Sequence, residues 1–224
     1  MDILTYIELL VSFTGWVLFM ILNSIYNAIR GLWWRMNGVH WQIISCKEPE
    51  TYGRCAHIKR ILFRYTIDGF TKGPECVFVT VHEGFARPEC VFQDDCSLYS
   101  ITSTEAVFIQ VKSSPDDALS ADFLWLGQYN SAWKLIAIPL NQFNKLVEQM
   151  EGDDAKIIFL YNQARCGGTL VTAFFKETGR CVCFNEPTCL STVCKRIYTD
   201  RIWQGATARR IFRNTIRMLC KTTM

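Results

Sequence analysis

The side chains best suited to chemistry in this chain lie in one short loop, residues 163–169. The loop joins an apolar run to a stretch with helical spacing, so backbone N–H groups at the start of the helix can converge on an anion. Two adjacent glycines, Gly167 and Gly168, allow an anion to approach the backbone closely. Arg165 can make a bidentate contact with a phosphate, and the Thr169 hydroxyl can donate to it or cap the helix. The pattern indicates either a phosphate-binding loop or an ordinary tight turn between a strand and a helix.

The loop differs from the two common nucleotide-binding motifs. It lacks the lysine and the leading glycine of a Walker A loop, and it does not contain G-x-G-x-x-G. A nucleophilic thiol at Cys166 would indicate a thiol protease. The three histidines all precede Cys166, whereas papain-like enzymes place theirs after the nucleophile, which argues against that class.

The segments on either side of the loop predict a βαβ unit. Lys156–Tyr161 is a continuous apolar run, typical of a parallel strand covered on both faces. Thr169–Thr178 has helical spacing and ends at Gly179, and Arg180–Phe184 alternates like a second strand. Ligands of such units lie beyond the carboxyl ends of the strands, where the loop and Glu186 both fall.

Residues 157–187 resemble the phosphosulfate-binding segment of P-loop sulfotransferases, especially the membrane-anchored carbohydrate type. That family shows a hydrophobic strand, an Arg-Ser-Gly-Ser-Ser/Thr-like loop, a helix, a short strand and a Phe-x-Glu-Pro ending. Both ends of the pattern are present here at the right separation. The resemblance implies the co-substrate 3′-phosphoadenosine 5′-phosphosulfate (PAPS) and a hydroxyl-bearing acceptor such as a carbohydrate.

The resemblance also implies residue roles. The residues that would bind the 5′-phosphosulfate are Arg165, Cys166, Gly167, Gly168 and Thr169. Arg165 would also stabilise the transferred group, and Glu186 would be the general base that takes the acceptor proton. The 37 residues after Pro187 contain no second strand-loop-helix to hold the 3′-phosphate, so we expect a truncated and inactive relative or an enzyme completed by upstream strands. The alternative function is a membrane-tethered binding or scaffold protein.

The N-terminal segment Leu9–Ile29 has 21 residues without a charge, which predicts a single membrane-spanning helix. A buried core helix is the alternative. Arg30 and Arg35 follow it together with interfacial tryptophans, so the positive-inside rule predicts a cytosolic globular part. The family resemblance instead implies the Golgi lumen.

The chain divides into four predicted regions of a mixed α/β fold. They are an anchor at 1–35, a connector at 36–60, a strand-rich region with a terminal helix at 61–150, and a P-loop βαβ unit with a basic C-terminal helix at 151–224. The predicted strands before the βαβ unit are Phe63–Ile67, Cys76–Val81, Ser97–Thr102, Ala106–Val111, Phe123–Gln128 and Trp133–Ile138. Pro139 opens a predicted helix whose apolar residues recur on one face.

Charge and cysteine content limit the partners. The net charge is only +3, but residues 195–224 hold eight Lys or Arg and one Asp, and Ala206–Cys220 predicts a basic amphipathic helix. This helix could contact anionic lipid or an acidic partner, or be an ordinary solvated face. The aromatic residues form no stacking pattern, so no nucleic acid is expected.

The eleven cysteines are an odd number and no N-glycosylation acceptor occurs, which favours a reducing compartment. Cys181, Cys183, Cys189 and Cys194 lack the usual C-x₂-C spacing of zinc sites, so we expect no metal.

Overall fold

A computed structural model describes residues 3–66, 77–112, 123–150, 156–160 and 166–221. Within these ranges the chain forms a mixed helix and antiparallel-sheet fold that begins with a long apolar helix. The helices are α1 (Ile3–Met36), α2 (Val39–Ser45), α3 (Leu124–Ser131), α4 (Leu140–Glu148), α5 (Gly168–Glu177), α6 (Thr188–Cys194) and α7 (Gly205–Cys220). The strands are β1 (Ala56–Arg64), β2 (Phe78–Ala86), β3 (Cys96–Ile101), β4 (Glu105–Val111) and β5 (Ala132–Pro139). Short 3₁₀ helices at Pro49–Arg54 and Pro88–Phe92 and a π-helical turn at Lys195–Thr199 join these elements.

The five strands form one antiparallel sheet in the order β2-β1-β5-β4-β3. Alternate residues of the central strands face opposite sides, as the period of a strand requires. On one side, Phe108 and Ile136 pack with α4, α6 and α7 in the larger buried cluster. On the other, Ile109 and Leu135 pack with Phe78 in a smaller one. Apolar residues are therefore buried on both faces of the sheet.

The middle region follows the predicted pattern in four strands and departs from it elsewhere. Strands β3, β4 and β5 lie within a residue of their predicted bounds, and β2 overlaps its predicted range. The predicted strand Phe63–Ile67 overlaps only the end of β1, and residue 67 lies outside the described residues. The predicted strand Phe123–Gln128 is wrong, because this segment forms α3, in which Leu124 and Gln128 are buried one helical turn apart. The predicted connector at 36–60 contains α2 and the start of β1.

The predicted βαβ unit is only partly present. Its helix is confirmed as α5, and it ends before Gly179, which has a φ of +62°. Residues 156–160 are exposed and form no strand, and Arg180–Phe184 forms none either. The helix itself is uncovered, since none of its residues is buried and Leu170 is 75% exposed.

Residues 156–160 do not join the sheet as a parallel strand because helices cover both of its outer strands. The β3 residue Ile101 donates its N–H to the Thr192 hydroxyl of α6 at 3.1 Å. On β2, the Thr80 carbonyl accepts from Tyr26 and Arg30 of α1 at 2.9 and 2.7 Å. A parallel strand at 156–160 would need a free strand edge and cover on both faces. The described residues offer it neither.

The C-terminal helix α7 belongs to the core. Ile211, Thr215 and Met218 are buried, as the predicted amphipathic pattern requires. Arg210 forms an ion pair with Glu148 of α4 at 2.6 Å. The apolar face of α7 is thus already covered, and a lipid or acidic partner would meet only its basic face.

Candidate functional site

The candidate anion-binding loop sits at the start of α5. Residues 161–165, which include Arg165, lie outside the described residues, so the position of this side chain is not assigned. Cys166 and Gly167 form a bend, and Gly167 is the residue before the first helical one, with a φ of +81°. This left-handed conformation favours glycine, because other residues pay a steric cost there. A glycine at position 167 therefore permits the turn that leads into α5.

Among the described residues, none fills the space beside Gly167. A Cβ atom built on Gly167 would meet no described atom within 4 Å. The Gly167 carbonyl accepts the first helical hydrogen bond from the Val171 N–H at 3.0 Å, and the Thr172 hydroxyl donates to the Gly168 carbonyl at the same distance. Among the described residues, no side chain caps this helix. The first N–H groups of a helix have no intrahelical acceptor and carry part of the positive end of its dipole, so they can accept an anion.

The remaining loop residues are accessible. Cys166 and Thr169 are exposed and Gly168 is half-buried. The thiol and the hydroxyl can therefore both reach a ligand bound beside the turn. The structure brings Cys166, Gly167, Gly168 and Thr169 together simply because they are consecutive at the start of one helix.

Glu186 lies beyond α5, in the segment that leads into α6. Its side chain is exposed, and its φ is +51°, a left-handed backbone that residues other than glycine rarely adopt. The two residues before it hold the segment on the domain: the Asn185 carbonyl accepts from the Leu124 N–H at 3.0 Å, and Phe184 packs against the larger core cluster. No hydrogen bond or ion pair between described residues joins Glu186 to residues 166–169.

A contact between buried His57 and partly buried His82 is the feature that the sequence did not indicate. His57 Nε2 and His82 Nδ1 are 2.9 Å apart, with Trp34 in edge contact with the His57 ring. Burial, and secondarily the positive charges of Lys59, His82 and Arg30, lowers the pKa of His57 to about 2. The pKa of His82 is also lowered by burial. Both rings are therefore neutral near pH 7, and the pair acts as a packed, uncharged contact between β1, β2 and α1.

The histidines lie 25 positions apart in sequence, so no spacing rule brings them together. Their contact depends on the β1–β2 register, which contains two irregularities and pairs His82 with Lys59. Only a prediction of that register would have found the pair.

The cysteines of the described ranges do not gather into a metal centre. The ten cysteines of the described ranges are free thiols. Cys181 and Cys183 have their sulfur atoms 3.9 Å apart, and Cys189 is fully buried. Within the part of the chain that the structure describes, no three His, Cys, Asp or Glu side chains form a metal-binding group.

Comparison with known proteins gives no relative. No protein-family model, curated protein or solved structure matches this chain. Function is therefore inferred from the loop, from the Glu186 segment and from helix α1. Among the described helices, one, Leu4–Met36, is long and apolar enough to span a membrane.

Proposed function

We propose that this chain is a membrane-associated binding protein whose loop at residues 165–169 holds the 5′-phosphosulfate of PAPS. The observation that carries the proposal is the backbone at Gly167. Its left-handed conformation, with no described atom within 4 Å of a Cβ built there, leaves the first N–H groups of α5 available to an anion. Arg165 would supply the charge-assisted hydrogen bond that distinguishes a phosphosulfate site from a plain turn.

Association with a membrane is part of the proposal and rests on α1. The helix has 34 residues, and its exposed surface includes many large apolar side chains. Such a surface has no favourable contact with water. Lipid is the partner that would cover it.

Binding of PAP, the desulfated form of PAPS, to the full chain in lipid nanodiscs tests the loop. We expect isothermal titration calorimetry to detect binding, and the Arg165→Ala variant to bind about 10- to 100-fold more weakly, because a hydrogen bond to a charged group contributes about 1.5–3 kcal/mol. Arg209→Ala is the matched control, since Arg209 is exposed on α7 and carries the same charge. No binding by the wild type, or equal weakening by both substitutions, would contradict the proposal.

Sulfuryl transfer is the second candidate function, and the backbone of Glu186 favours it. Strained φ values in residues other than glycine concentrate at functional sites, and this one occurs at the Glu-Pro position of the resemblance. In this function the Glu186 carboxylate takes the proton of the acceptor hydroxyl while the sulfuryl group moves from PAPS to its oxygen, releasing PAP.

Radiolabelled PAPS with lactose as a hydroxyl acceptor distinguishes transfer from binding alone. If the chain transfers, Glu186→Gln abolishes labelling of the sugar and leaves PAP affinity unchanged. Glu177→Gln, at the exposed end of α5, is the control that should keep both. Binding of PAP without any labelled product would leave the binding function and remove the enzymatic one.

A further inference from the structure

Helix α1 has one covered side, which is built from residues three or four positions apart. Phe19 and Asn23 on this side are 8% and 4% exposed. The same side continues through Tyr26 and Arg30 to Trp34, whose ring lies 5.2 Å from that of His57. Residues at this spacing share one face of a helix. We call this face the covered face.

Strands β1 and β2, with the two residues after β1, supply the cover. The Phe19 ring lies 5.9 Å from Phe63 and 5.3 Å from Tyr65. The Tyr65 hydroxyl donates to the Ser12 carbonyl at 3.3 Å, and Arg30 donates to both oxygens of Thr80 at 2.7 Å. Hydrogen bonds to the sheet domain thus begin at Ser12 and extend to Arg30.

This docking conflicts with a helix that crosses a bilayer over Leu9–Ile29. The distance along the helix from Ser12 to Arg30 is about 27 Å, nearly the full thickness of a ~30 Å hydrocarbon core. If α1 crossed the bilayer, the parts of β1 and β2 that contact it would lie inside the hydrocarbon core. The sheet beside them carries an ion pair between Lys134 and Glu83, and an open sheet with charged side chains is not stable in hydrocarbon. The docked helix therefore needs another orientation.

The side opposite the covered face is predominantly apolar, although the exposed residues Thr14 and Arg35 also lie on it. Leu10, Ile21 and Leu32 are 66%, 53% and 60% exposed. They are spaced by about three helical turns, so they form one line along the helix, opposite Phe19. The helix is about 51 Å long, far more than a crossing requires. We call this side the apolar face.

We propose that α1 lies in the plane of a bilayer surface, with its apolar face in the lipid and its covered face bound to the sheet domain. A helix with one apolar side and a polar or protein-covered opposite side is suited to the boundary between headgroups and acyl chains. Both ends of the chain then lie on the same side of the membrane. The inference rests on the membrane association proposed above and is independent of the PAPS loop.

Glycosylation tagging tests this orientation, because the chain has no Asn-x-Ser/Thr acceptor of its own. The full chain is synthesised with endoplasmic-reticulum microsomes, carrying an acceptor tag at either its N-terminus or its C-terminus. We expect the chain to float with the microsomes and neither tag to be glycosylated. A glycan on either tag would overturn the inference, since it requires α1 to cross.

A second measurement separates failure of the orientation from failure of membrane association. Chain that does not float would contradict both, whereas floating chain with one glycosylated tag contradicts only the orientation. We also expect Ile21→Glu to lose most of the floating fraction, while Ile202→Glu, at a 48% exposed site before α7, keeps it. Flotation of Ile21→Glu at the wild-type level would overturn the lipid contact of the apolar face. PAP binding tests the loop separately from all these results.

Discussion

The contact of buried His57 with His82 gives the protein a specific dependence of stability on pH. The folded pKa of His57 is lowered from 6.5 to about 2, chiefly by burial. Below pH 6.5 the unfolded chain binds a proton that the folded chain does not, so stability falls as the pH falls. Between pH 8 and pH 5 the loss from this group is about 2 kcal/mol. The lowered pKa of His82 adds a further loss in the same direction.

Replacing His57 by phenylalanine isolates this contribution. The imidazole stacks on Phe85 at 4.9 Å and meets Trp34 edge-on, so an aromatic ring of similar shape fits the same space. The hydrogen bond to His82 is lost, but His82 is only partly buried and can bond to water. We expect His57→Phe to lose about 2 kcal/mol less than the wild type between pH 8 and pH 5.

The assay is urea unfolding of the full chain in detergent, followed by near-ultraviolet circular dichroism at both pH values. His40→Phe, at a half-exposed site on α2, is the control and should keep the wild-type difference. Equal pH dependence in the wild type and His57→Phe would refute the reasoning, since it would mean that His57 is not held neutral in the folded protein.

Four further substitutions test the packing and the loop. Asn214→Ala removes the 2.8 Å hydrogen bond to buried Asn144 and should cost about 1–3 kcal/mol, more than Arg210→Ala, whose ion pair is half exposed and contributes less than about 1 kcal/mol. Phe143→Ala should cost about 3–5 kcal/mol in urea unfolding, because the ring is fully buried between the sheet and α4. Gly167→Ala forces a left-handed alanine at a cost of about 1–2 kcal/mol and should weaken PAP binding in calorimetry.

Each of these expectations can fail separately. A larger loss from Arg210→Ala than from Asn214→Ala would mean that the surface ion pair, and not the buried amides, holds α7 on α4. A loss below about 1 kcal/mol for Phe143→Ala would contradict a close-packed core at that site. Unchanged PAP affinity in Gly167→Ala would remove the requirement for a left-handed turn.

The sequence pattern correctly predicted those helices and strands in which the apolar residues of the pattern are the residues that the fold buries. The apolar run of β4 and the one-face spacing in α4 both match what the structure buries. Helix α3 escaped prediction because β-prone aromatic residues fill it. Its conformation is set by tertiary contacts, in particular the Gln128 amide that donates to the Leu98 carbonyl at 3.1 Å.

Only the features of the candidate site that depend on residues close together in sequence could be predicted. Gly167, Gly168 and the start of α5 follow from turn and helix chemistry within a few residues. A parallel strand at 156–160 depends on whether a sheet edge is free, and that is decided by α1 and α6 from distant parts of the chain. Local sequence carries no information about such cover.

Amide hydrogen exchange of residues 166–171 with and without PAP is the most direct measurement of the proposed loop. If the N–H groups at the start of α5 hold the phosphosulfate end of the nucleotide, saturating PAP should slow their exchange while leaving the amides of α7 unchanged. Unchanged exchange at residues 166–171 under saturating PAP, or protection confined to another part of the chain, would contradict the assignment.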